Sequence, residues 1–243
     1  MGRAHEVRKV AMAKTAAAKT KVYSRYGKEV YLSAKAGGSD PDSNLTLRRL
    51  IEKAKKDQVP GDVIKRAIEK ANSGAAENFD ELQFEGYGPS GSTIIVKCLT
   101  NNINRTISHV RPAFTKSKAK LGAEGSVSYA YDTVSILSFK GLDEEATLEA
   151  LIMADVDAKE IEAHEDGSIE LTGEPQDLYK MKEAIEEACP EAVFDVEEIS
   201  TFPQEYVELA GEDMELFERL NRLLNECDDV DTIIHNVKNY QGE

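Results

Sequence analysis

Apolar residues recur at helical spacing through the first seventy positions of the chain and then switch to alternation, so a helical part precedes a mixed one. A long Ala/Lys-rich stretch from Val7 to Lys35 contains one Gly and no Pro, and Val22, Tyr26, Val30 and Ala34 mark one face of it. Gly37-Gly38 ends this helix as Gly does beyond a C-terminus. Asp40-Pro41 predicts the next start, with Asp40 as cap and Pro41 in the first turn. Leu47, Leu50, Ile51 and Ala54 continue that second helix. Pro60-Gly61 breaks the pattern, and Val63, Ile64, Ala67, Ile68 and Ala71 give a third. Three helices with short joints can share one small core.

Residues 73–83 read as a polar linker or entering segment. Ile94, Val96 and Cys98 alternate with Ile95, Lys97 and Leu99, a strand buried largely on both faces. A helix is predicted over 102–119, with Pro112 as an irregularity. Val127, Tyr129 and Tyr131 alternate with Ser126, Ser128 and Ala130, which predicts a half-buried strand, and 134–139 predicts another. A helix follows at 143–154, then strands at 159–164 and 168–172 joined through Asp166-Gly167, a helix at 175–188 and a strand at 193–199. The order β-α-β-β-α-β is that of a ferredoxin-like unit. Leu216, Leu220, Leu223 and Cys227 form a final helical stripe before a strand at 232–237. The fold class is therefore α+β. A three-helix bundle over 1–75 precedes a discontinuous α+β domain, 76–132 plus 201–243, into which an acidic ferredoxin-like domain, 133–200, is inserted.

Charge sharpens this division. Residues 1–75 hold 17 Lys/Arg against 8 Asp/Glu, whereas 133–200 hold 4 against 20, and the whole chain of 243 residues carries −15. A basic module on an acidic body points to a polyanion as partner of the first part. The cations proposed to meet nucleic acid are Arg3, Arg8, Lys9, Lys14, Lys19, Lys21, Arg25, Lys28, Arg48, Arg49, Lys55, Lys56, Lys65 and Arg66. Tyr23, Tyr26 and Tyr31 lie among them and are either stacking platforms for bases or members of the helical core. Asn101, Asn102, Asn104, Arg105 and Thr106, at a strand-to-helix junction, form a candidate loop for phosphate or a partner; ordinary helix capping explains the same residues.

Other chemistry is thin. Gly86, Gly88 and Gly91 satisfy G-x-G-x-x-G, but the motif precedes a strand and Pro89 removes an amide, so a tight turn is the better reading. His5, His109, His164 and His235 are widely spaced, and no metal is expected. Residues 226–231 (ECDDVD) read as a solvated helix-end loop. No nucleophile stands in a recognisable setting, and no cofactor is expected. Three scattered cysteines suggest a reducing compartment, and no apolar run reaches the ~18–20 residues that span a bilayer, so a cytoplasmic protein without membrane contact is expected.

The segments GGSDPDSNLTLRRLIEKAKKDQVPGDVIKRAI (37–68), EGYGPSGSTIIVKCLTNNINRT (85–106) and LGAEGSVSYAYD (121–132) resemble the YebC/PmpR family, which includes mitochondrial translational activators of cytochrome oxidase. The likeness runs essentially end to end. The start MGRAHEVRK and the absence of Trp depart from the GHSKW-type beginning of many members and look like a divergent subgroup with a GRAFEYRR-like start. The resemblance implies a helical first domain followed by two α/β domains, one inserted in the other, and no enzyme. It implies a DNA-binding transcriptional regulator, or alternatively a ribosome- and RNA-associated factor that helps synthesis of proline-rich sequences. An acidic protein-interaction scaffold is the third reading. A monomer is expected.

Overall fold

The computed structural model describes residues 16–73 and 79–240. Among these are seven α-helices and two antiparallel four-stranded sheets, an α+β fold. The described chain falls into two compact units. One holds residues 129–206; the other joins the residues before Tyr129 to those after Tyr206.

Helices α1 (Ala16–Gly37), α2 (Leu45–Lys56) and α3 (Gly61–Asn72) close on Tyr26, Val30, Tyr31, Leu47, Ala54 and Ile64, all buried. The second helix starts later than Asp40-Pro41 predicts. Asn44 is its cap, accepting from Leu47 N at 3.1 Å. The same buried amide donates to Ser33 O at 2.9 Å and Gly38 O at 2.8 Å, so it also ties down the end of α1. Asp40 instead organises the turn before it, accepting from Asp42 N and Ser43 Oγ, each at 3.1 Å. An Asn that caps one helix and binds the end of another outcompetes an Asp that caps only one.

The first sheet runs in the order β3 (Lys120–Leu121), β1 (Asp80–Tyr87), β2 (Thr93–Thr100), β8 (Val230–His235). Helices α4 (Ile103–Lys116) and α7 (Gly211–Asn225) cover one of its faces, over a core of Ile94, Val96, Val110, Phe114, Leu220 and Leu224. The polar linker expected over 73–83 gives way to strand β1 from Asp80 onward. This strand pairs with β2 throughout, Phe84 opposite Val96, and its Glu and Gln residues conceal the alternation. The glycine motif turns this hairpin. A Cβ on Gly86 would collide with the Phe114 ring and lie 2.7 Å from Lys120 O, and Gly91 has a φ of +76°. Close packing at Gly86 and left-handed backbone at Gly91, not phosphate, account for these glycines. The buried stripe of α7 is Phe217, Leu220 and Leu224, continued by Cys227, with Leu216 and Leu223 at its margin.

The predicted strand at 126–131 is absent. Glu85, 1% exposed on β1, accepts from Gly125 N at 2.9 Å, Val127 N at 2.8 Å and Ser128 N at 2.9 Å. Backbone donors committed to one carboxylate are not free for a ladder, so the segment forms turns and regular pairing begins only at Tyr131.

The other unit contains β4 (Tyr131–Lys140), α5 (Glu144–Met153), β5 (Glu160–Ala163), β6 (Ile169–Gly173), α6 (Leu178–Ala188) and β7 (Val193–Pro203). Its strand order, β5-β6-β4-β7, is the ferredoxin-like arrangement. Leu137, Phe139, Leu151, Leu171, Met181 and Ile185 form its core. Strands β4 and β7 pair to their ends, with Tyr131 opposite Pro203.

Candidate nucleic-acid interface

The helical cations divide into two sets. On α1, Lys21, Arg25 and Lys28 follow at helical spacing on one face. Lys21 Nζ donates to Asn225 Oδ1 at 3.1 Å, and Arg25 Nε lies 3.6 Å from Asp231 Oδ1. Lys28 Nζ donates to Leu99 O at 2.9 Å and Asp228 O at 3.2 Å, and stands 4.0 Å from Asp229 Oδ1. Burial lowers the Lys21 pKa, against the pull of Asp231 and its neighbours. These three charges bind the bundle to the acidic turn after α7 and are not a free phosphate surface. Arg48 is also engaged, holding the turn before α2 through Pro41 O at 3.1 Å and Asp42 O at 3.0 Å.

The second set faces outward. Lys19, Lys53, Lys55, Lys56, Lys65 and Arg66 are exposed, and Arg49 is half-buried. Among the described residues, Lys65 and Arg66 make only long pairs along their own helix, to Glu69 at 3.9 Å and Asp62 at 3.8 Å. Arg3, Arg8, Lys9 and Lys14 lie outside the described residues. The tyrosines do not interleave with these charges. Tyr26 and Tyr31 are buried and Tyr23 packs beside them. Burial raises the Tyr26 pKa further above its usual value, and the Asp57 carboxylate that accepts its hydroxyl at 2.5 Å adds to this.

The 101–106 junction is mainly a cap. Asn102 Oδ1 accepts from Arg105 N at 3.1 Å, and Asn101 Oδ1 accepts from Arg105 Nη2 at 3.0 Å. Arg105 then grips Asp229 through Nε at 2.9 Å and Nη2 at 2.6 Å, while Thr106 Oγ1 donates to the same carboxylate at 3.0 Å. Burial alone would raise the Asp229 pKa; the hydrogen bonds from Arg105 and Thr106 overcome it and hold the group below the usual range. The 226–231 segment is thus a receptor for Arg105 and Lys28, not a solvated loop. Only Asn104 of the five loop residues is exposed with no side-chain bond to the junction.

Two features escape a reading of the sequence. The first is the exposed face of α4. Residues 86–123 hold six Lys/Arg and no Asp/Glu, an interval that segment-wide charge totals conceal. Asn104, Ser108, Arg111 and Thr115 repeat along one exposed face of this helix. The second is a convergence on the β5–β6 hairpin, where cross-strand register brings Glu162, His164 and Glu170 together with donor atoms within 4.8 Å of one another. Spacing along the chain does not show it. His164 Nε2 is 3.3 Å from the nearly buried Glu170 carboxylate, so the imidazole already has a partner there. Among the described residues no helix is long and apolar enough to cross a membrane.

Comparison with known proteins accounts for nearly the whole chain. Residues 3–74 match the TACO1/YebC protein N-terminal domain, and residues 79–237 match the TACO1/YebC second and third domain. A protein of Alteromonas mediterranea named "Probable transcriptional regulatory protein" is 53% identical over 97% of this chain and 98% of its own length. One of Pseudoalteromonas atlantica with the same name is 51% identical over the full length of both. The crystal structure of a conserved hypothetical protein from Aquifex aeolicus superposes with a TM-score of 0.70 at 33% identity, covering 93% of each chain.

Proposed function

The chain belongs to the TACO1/YebC family, and from that premise we propose that it is a non-enzymatic regulator of gene expression that holds nucleic acid through the outer face of its helical bundle, acting in transcription. The observation that carries this is the outward set of cations at the end of α2 and on α3: Lys53, Lys55, Lys56, Lys65 and Arg66, exposed in a chain of strongly negative net charge. With Tyr26 and Tyr31 in the core, this surface offers charge rather than stacking, which suits the phosphates of a duplex. The names of the relatives support the transcriptional setting. The partition into a bundle (1–75), a discontinuous α+β domain (76–132 plus 201–243) and an acidic insert (133–200) belongs to the same proposal. The insert's negative charge keeps nucleic acid off that part of the chain and discourages indiscriminate binding.

The test is charge reversal at Lys53, Lys55, Lys56 and Lys65, leaving Arg48 in place because it holds a turn. Affinity for a DNA duplex should fall at least ~10-fold, and the salt dependence should flatten by ~0.9 for each phosphate contact removed. Unchanged affinity in a folded variant overturns the reading.

A second reading, action on RNA at the ribosome, is favoured by one observation, the exposed basic face of α4. Co-sedimentation with ribosomes that is lost at moderate salt would select it. Its absence, together with preference for a promoter duplex over random duplex, selects transcription.

A further inference from the structure

We infer that the exposed face of α4 is a second binding site, for an unpaired RNA strand. It deepens the nucleic-acid reading above and uses none of the bundle's cations.

A shallow groove of about 650 Å³ runs along this face, lined by Asn104, Ile107, Ser108, Arg111, Pro112, Thr115 and Lys116. A smaller one of about 230 Å³ lies on the α7 side, and Ser108, Pro112 and Lys116 line both. Ile107 and Pro112 give an apolar floor against which the flat face of a base can rest. Arg111 and Lys116 are exposed, and among the described residues no carboxylate pairs with either. This contrasts with Arg105 at one end, held by Asp229, and Lys118 at the other, held by Glu212 at 2.8 Å. The flanking cations are neutralised within the protein and the two between them are not.

Polar groups on the same face suit RNA. Asn104 offers an amide donor and acceptor, and Ser108 and Thr115 offer hydroxyls, each bonded to the helix backbone yet still able to accept. Pro112 has no N–H, so the Ser108 carbonyl lacks its usual helical donor and is an acceptor without its standard partner. Cations for phosphate, an apolar floor for a base and hydrogen-bonding groups for a 2′-hydroxyl are what recognition of an unpaired ribonucleotide requires. A duplex, with bases stacked away from the floor, would leave the groove unfilled. Residues 86–123 bring no carboxylate to this face; those around it come from elsewhere in the chain, Glu226 on the α7 wall of the smaller groove, Asp229 held by Arg105 and Glu212 held by Lys118.

The test is fluorescence anisotropy with a labelled oligouridylate, the matching deoxy-oligonucleotide and a DNA duplex. The full chain is compared with an Arg111→Ala/Lys116→Ala variant and with the four-site bundle variant above. Both altered side chains are exposed, and circular dichroism verifies the fold. The α4 variant should bind oligouridylate at least ~10-fold more weakly, with the slope of log affinity against log salt reduced by about 1.4, ~0.7 for each lost contact to a single strand. Photo-crosslinking from 4-thiouridine should mark peptides of α4 in the unaltered protein. Equal oligouridylate binding by the full chain and the α4 variant, or no binding by either, overturns the inference, as does binding of the deoxy-oligonucleotide as tight as that of RNA. The two proposals fail separately. Loss of duplex binding in the bundle variant with no effect of the α4 variant leaves the proposed function standing alone. The opposite pattern leaves the α4 site alone.

Discussion

Glu85 is a carboxylate kept charged out of reach of water. Burial opposes its ionisation, but three backbone N–H groups and Gln83 Nε2 at 2.8 Å more than compensate and hold its pKa at about 2. A depressed carboxylate pKa contributes stability that is present above the ordinary value, near 4.5, and is lost as pH falls toward 2. The shift corresponds to something on the order of 3 kcal/mol. Glu85→Gln should therefore unfold at lower urea at neutral pH, and its stability should vary less between pH 4.5 and 2 than that of the unaltered chain. Parallel acid titrations of the two would refute this. Asp229 is a second such group. Asp229→Ala removes the acceptor of Arg105 and Thr106 and an ion-pair partner of Lys28 and should cost about 2 to 3 kcal/mol, measured by urea denaturation. Neither role can be read from the sequence, where Glu85 sits in a polar run and Asp229 in an acidic one. A carboxylate's importance here depends on distant backbone donors and on one arginine, and periodicity carries no information about either.

At the scale of elements, the features that periodicity governs are legible in the sequence and those that a single side chain governs are not. The helices of the bundle, the β5–β6 hairpin and the ferredoxin-like order come from repeats of apolar residues and from Asp166-Gly167. The apparent alternation at 126–131 fails because Glu85 claims its backbone donors, and the start of α2 moves because Asn44 serves two helices. Helix α4 lies where its pattern predicts, but nothing in that pattern singles out its exposed face. Pro112 there also makes a measurable statement. A proline inside a helix costs about 3 kcal/mol, so Pro112→Ala should raise the melting temperature. If the groove binds RNA, the same change should weaken oligouridylate binding, because a backbone donor returns to the Ser108 carbonyl. A more stable protein with undiminished affinity would separate the proline from the site.

For the whole molecule, the contrast between basic and acidic segments has an internal use that charge counting along the chain does not anticipate. Lys21, Arg25 and Lys28 meet the turn at 225–231, so part of the opposition in charge is internal glue. Replacing all three by Ala should speed amide hydrogen exchange in α1, α2 and α3 while leaving β4–β7 unchanged. Equal exchange rates across the bundle in the two proteins would contradict this. The lone Val207–Val237 bridge and the antiparallel β2–β8 pairing add an order of events to the architecture. During synthesis the ribosome delivers β1, β2 and α4 early, then all of 129–206, and only afterwards α7 and β8. Until then β2 has one unpaired edge and the inner side of α4 lacks its neighbour, a state open to mispairing with other nascent chains. The insert, closed on itself where Tyr131 meets Pro203, can complete its own sheet during that interval. Truncation just before α7 should therefore yield an aggregation-prone fragment that still contains a folded acidic unit, whereas loss of the insert alone should spare the rest.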